Sequence, residues 1–186
     1  PAPPPPAGAA HTPHPPAPTP PPVISGNPPS PATQDVSYTD APAGIAALHT
    51  PCHDALDRGI AALWRLSDTP PALFSIHSFT PSMNGEDRIW DMGVLWHRDP
   101  RMPLPLIEHL RRWDGLHVGD NEPYSGAKLA YTIDTHGMAG GLANCAIEIR
   151  QDHCAAPEDA SHWADILADA LRHIMSQPDV HTVKHY

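Results

Sequence analysis

His77 closes an expected strand within Ser75-Ile76-His77-Ser78, and Glu148 stands between Ile147 and Ile149 on a second β-forming run. An imidazole at a strand end is held by rigid backbone and can offer a ring nitrogen to a metal. It can equally be a hydrogen-bonded structural group. A carboxylate set among isoleucines has its charged form disfavoured, so its pKa rises toward the range useful to a general base near neutral pH. The alternative for Glu148 is an ion pair with Arg150, because residues i and i+2 share one face of a strand.

Gly119-Asp-Asn-Glu-Pro-Tyr-Ser-Gly126 is a polar loop between a strand and a helix. It reads either as a recognition loop, using Asn121, Tyr124 and backbone N–H groups, or as a turn in which Ser125 caps the next helix. His49 and His53 are four apart, the spacing that puts two ligands on one helical face. Pro51 lies between them and no glutamate completes an HExxH motif, so a broken helix argues against a metal pair there. The chain has no GxSxG, no P-loop and no GxGxxG, which removes the commonest serine-hydrolase and nucleotide readings.

Hydrophobic periodicity supplies the elements that must position these groups. Ile45, Leu48, Cys52, Leu56, Ile60 and Leu63 recur at helical spacing, so residues 43–66 read as one amphipathic helix or two, kinked or broken at Pro51. Strands are expected at 72–77, 92–96, 116–118 and 143–149, with helices at 104–113 and 161–175. Alternating strands and helices predict an α/β domain with a mostly parallel sheet. In such sheets ligands bind beyond the C-terminal strand ends. The polar clusters His77–Asn84, Gly119–Gly126 and Glu148–Asp152 are therefore expected to converge on one edge.

The 186 residues suffice for one domain with a real core. A net charge of −10 offers no basic field for nucleic acid or an anionic membrane, and neither is expected as a partner. Three cysteines and no Asn-x-Ser/Thr sequon suit a reducing, cytoplasmic setting. No apolar run approaches the ~20 residues of a membrane span, and the first residues lack the layout of a signal peptide. Beginning at Pro1 rather than Met, the chain reads as a fragment or a processed product.

Residues 1–34 contain no Asp, Glu, Lys or Arg and are dominated by Pro, Ala, Thr and His. They are expected to be disordered or polyproline II, either as a plain linker or, through Pro3–Pro6 or Pro13–Pro16, as a PxxP ligand for a weakly binding partner. The organisation expected is a Pro-rich segment 1–35, a domain 36–176 and a tail 177–186.

Several blocks together resemble the N-formylglutamate amidohydrolase family. They are Ser75–Pro81 with Met83-Asn-Gly85, Gly93–Trp96 with Arg98-Asp99, Gly119–Gly126, Tyr131-Thr132, His136-Gly137 and Ile147–Asp152. They cover roughly residues 70–152, extended by the flanking helices to 36–176, and Val23–Asn27 vaguely resembles a further loop of the family. The resemblance implies a three-layer α/β/α fold and a zinc-dependent hydrolase of the carboxypeptidase-like superfamily, acting on the amide bond of an N-acyl amino acid. It implies His77 as a zinc ligand and Glu148 as general base to a zinc-polarised water. It also implies that Asn121, Tyr124, Ser125 and Arg150 line the substrate pocket, with the guanidinium facing a substrate carboxylate.

The chain departs from the family pattern in one respect. The family's other two zinc ligands come from an early histidine motif, followed by an Asn-Arg motif, and neither is present. The domain thus reads as truncated at its N-terminus, holding zinc weakly and hydrolysing little alone. The alternative is an incompetent family member that acts as a binding or interaction module.

Overall fold

The structure is a computed structural model that describes residues 45–186. The expectations for the Pro-rich segment and for Val23–Asn27 lie outside the described residues.

A π-helical turn, Ile45–His49, runs into helix α1, Thr50–Ser67. Pro51 does not break this helix. It occupies the first turn of α1, where its missing N–H is not needed, and the expected break becomes a change of winding. Asp68, in the left-handed region at φ 54°, ends the helix by donating its N–H to Trp64 O. The apolar face predicted for this helix is not packed into the core: α1 buries no residue, and Leu63 is 58% exposed.

Strand β1, Leu73–Phe79, leads into the small hairpin of β2, Ser82–Met83, and β3, Glu86–Asp87. Then come β4, Met92–Leu95, helix α2, Pro103–Leu110, and β5, Val118–Asp120. Two short helices follow, α3, Gly126–Leu129, and α4, Tyr131–Ile133, the latter running into a π turn over Asp134–Met138. Strand β6, Asn144–Arg150, and helix α5, Pro157–Met175, complete the main elements. Every strand and helix expected between 72 and 175 is found, with ends shifted by a few residues, as frayed termini allow.

The main sheet has the order β1-β6-β4-β5. Pairs β1–β6 and β4–β5 are parallel, but β4 runs against β6. The fold is thus α/β with a mostly parallel sheet whose two halves point in opposite directions.

Strand β6 lies at the centre and is buried on both faces, which is why it reads as a nearly continuous apolar run. Its odd residues Cys145, Ile147 and Ile149 join Met92, Val94 and Val118 beneath α2 and α5, which contribute Leu106, Ile107, Leu110, Trp163, Ile166, Leu167 and Ile174. Its even residues face the other way, where Ala146 packs with Leu95 and with Ile133 of α4. Helices therefore cover both faces. Beyond α5 a short 3-10 turn, Pro178–His181, buries Val180 in the larger core.

The buried Arg101 fixes this C-terminal stretch. It pairs with Asp99 at 2.6 Å and donates to Asp179 O at 3.1 Å and Gly141 O at 2.9 Å. Among the described residues, no helix is long and apolar enough to cross a membrane.

Candidate active site

His77 and Glu148 are neighbours across the parallel β1–β6 pairing, residue opposite residue. Both line one cavity of about 300 Å³ on the α4 face of the sheet. Ser75 and Leu95 of the sheet border it beside them, and Tyr124 and Tyr131 complete its walls.

Ser75 Oγ lies 2.8 Å from His77 Nε2 and fixes the imidazole along its own strand. Glu148 is buried, and its Oε2 has no hydrogen-bond partner. Burial pushes its carboxyl above the ordinary glutamate range, while the His77 and Arg88 charges and the Tyr124 phenol pull the other way. The Tyr124 hydroxyl is itself pushed up, first by burial and then by the Glu148 charge, so it stays a neutral donor.

The three polar clusters do not meet at one sheet edge, as parallel topology would have them do. Because β4 and β5 run against β6, the loop after β5 leaves the end of the sheet opposite to His77–Asn84 and Glu148–Asp152. Tyr124 reaches Glu148 across the face of the sheet instead. Glycines make that crossing possible. Gly93 lies directly opposite Glu148, and a Cβ there would sit 2.0 Å from Glu122 O. A Cβ on Gly119, its neighbour on β5, would meet Glu122 Cβ at 2.7 Å. The chain at Glu122 therefore lies flat on two side-chain-free positions and delivers Tyr124 to the cavity.

Asn121, at φ 55°, pins the same loop: its Oδ1 accepts from Trp96 N and Gly126 N, both at 2.9 Å. Ser125 caps α3, its Oγ accepting from Ala127 N at 3.2 Å. Of the four residues expected to line the pocket, Tyr124 does so, while Asn121 and Ser125 shape the loop that carries it.

Arg150 stands outside the cavity lining. It is held by Asp152 at 2.8 Å and Asp91 at 3.6 Å, and donates to Arg88 O and Trp90 O. The alternative reading of Glu148, a same-face ion pair with Arg150, does not form. The guanidinium whose charge bears on Glu148 is that of Arg88, which no sequence motif singles out.

A second cavity of about 350 Å³ includes Trp113, Asp114, His153 and Trp163 in its lining. Two of its carboxylates, Asp91 and Asp152, are already matched by Arg150 and His153.

Among the described residues, no three His, Cys, Asp or Glu side chains form a group able to hold a metal ion. A catalytic zinc normally takes three protein ligands, and this cavity offers one histidine beside the carboxylate expected to act as base. The described residues therefore do not make up a zinc site.

The profile of the N-formylglutamate amidohydrolase family matches residues 15–155, opening inside the Pro-rich stretch. Among solved structures the chain is similar to gene product Atu2144 from Agrobacterium tumefaciens, with 27% identity and a TM-score of 0.66. That likeness covers 76% of this chain and 55% of the relative, so the chain spans little more than half of the relative's length. No curated protein matches.

Proposed function

We propose, from the premise that this chain belongs to the N-formylglutamate amidohydrolase family, that it hydrolyses the amide bond of an N-acyl amino acid such as N-formylglutamate. The observation that supports this best is Glu148: a buried carboxylate with an unpartnered oxygen, opposite His77 in the lining of a cavity large enough for a small acyl amino acid.

In this reading Glu148 takes a proton from a water that attacks the acyl carbonyl. The developing oxyanion is met by the neutral Tyr124 hydroxyl as donor. Glu148 then returns the proton to the amine as the C–N bond breaks, leaving a free carboxylic acid and a free amino acid. Zinc enters only through the family resemblance, with His77 as its candidate ligand, and each of these proton transfers uses the chain's own side chains.

Release of formate from N-formylglutamate, followed with the wild type and with Glu148→Gln, tests the reading. Slow release that depends on Glu148 is expected. Equal release by the two proteins would overturn it.

A further inference from the structure

The cavity holds a base, but Arg150, the cation expected to meet a substrate carboxylate, is engaged elsewhere. Arg88 emerges from the β2–β3 hairpin with its guanidinium carbon 5.4 Å from the Tyr124 ring centroid and 5.6 Å from that of Phe79. Tyr124 is a wall of the cavity, and Phe79 ends the strand that carries His77. The guanidinium therefore lies against one wall of the cavity, through Tyr124, just outside the lining itself.

Its hydrogen bonds go to neutral acceptors: Nη1 donates to Thr80 O at 3.2 Å and to Thr80 Oγ1 at 3.3 Å, and Nη2 approaches Met83 Sδ at 2.9 Å. No carboxylate lies within ion-pair distance of it among the described residues. Stacking and the Thr80 contacts fix the plane of the guanidinium and still leave donors for a ligand. A half-buried, oriented cation with only neutral partners among the described residues, beside a buried general base, is suited to recognise an anion.

We infer that Arg88 is the anion-binding residue of this site and grips a carboxylate on the amino-acid half of the substrate. The inference rests on the amide-hydrolysis reading for the identity of that substrate.

The test compares wild type, Arg88→Gln and Arg88→Lys on N-formylglutamate and on its two mono-amides, each of which lacks one carboxylate charge. Wild type should favour N-formylglutamate over at least one mono-amide by roughly 10- to 100-fold in KM, and Arg88→Gln should abolish that preference with a smaller change in kcat. Arg88→Lys should restore part of it.

Binding of N-acetylglutamate, measured by calorimetry on the same proteins, separates this inference from the reaction. Arg88-dependent binding without hydrolysis would sink the amide-hydrolysis reading and keep the anion site. Hydrolysis with unchanged KM and unchanged N-acetylglutamate binding in Arg88→Gln would overturn the anion site and keep the reaction.

Discussion

His53 Nδ1 lies 2.5 Å from His136 Nε2, and this contact ties α1 to the rest of the domain. His136 is buried and on its other side meets Asp57 Oδ1 at 2.7 Å, so two residues of α1 hold one imidazole between them. The rings of His49 and His53 also pack against Tyr131, a wall of the cavity. Since α1 buries no residue of its own, these polar contacts take the place of an apolar interface.

That arrangement predicts a pH dependence. Desolvation lowers the His53 pKa below its ordinary value of 6.5, reinforced by His49 and His136 and opposed by Asp57 and Asp54. The docked state thus prefers neutral His53, and docking is fully present above the ordinary pKa and is lost as pH falls through the lowered one. Amide exchange corrected for intrinsic rates should quicken across Thr50–Ser67 between about pH 7.5 and about pH 5, while β6 stays protected. Unchanged protection of α1 over that range would refute the assignment.

Glu148→Gln should lower kcat by roughly 100- to 10,000-fold, the usual worth of a positioned general base. In wild type the acid limb of the rate profile should lie above the ordinary glutamate range, because burial favours the protonated carboxyl. The same shift has a stability sign. Between the ordinary pKa and the raised folded one the native state binds more protons, so stability falls as pH rises through that window. The variant lacks this slope, and its Tm near neutral pH should equal or exceed that of wild type.

Gly93→Ala should displace the loop that carries Tyr124, since the new methyl would sit 2.0 Å from Glu122 O, a backbone atom unable to swing aside. A loss of about 1–3 kcal/mol in urea unfolding and a sharp fall in activity are expected. Gly59→Ala is the control. It lies within α1 with nothing within 4 Å of the added methyl, and should gain up to about 1 kcal/mol of helix stability. A Gly93→Ala protein as stable and active as wild type would disprove the flat crossing.

Dialysed protein should retain well under one zinc per chain. Losing single outer partners already costs metal sites roughly 10- to 100-fold, and losing first-sphere ligands costs more. One tightly held zinc per chain, released on His77→Ala, is the result that would contradict this.

The elements were legible because their signals are local. The apolar run on β6, helical spacing on α2 and α5, and the turn residues between them sufficed to place them. The convergence of His77 and Glu148 was also expected from the sequence, which put both at strand ends of one sheet; each strand in fact runs two residues further, to Phe79 and Arg150. Strand direction was not legible. Nothing in Met92–Leu95 or Asn144–Arg150 records that the two run antiparallel, since short apolar runs look alike either way. That reversal moved the Gly119–Gly126 loop from the shared edge to the sheet face.

Arg150 looked available because its partner Asp91 is remote in sequence, and Arg88 looked incidental in a hairpin of ordinary composition. The glycines at 93 and 119 carried the signal for the loop crossing. Small residues on a buried strand mark where another backbone comes close.

Strand β6 is the last of the described strands to be synthesised, yet it sits between β1 and β4. Among the described residues, until residue 150 has left the ribosome, β1 has no neighbour in the main sheet and β4 can pair only with β5. The sheet is then completed by insertion of a central strand rather than by growth at an edge, which requires long-range contacts to form late. Glu148 arrives opposite His77 in that same step, so the cavity they line forms only once β6 has inserted between β1 and β4.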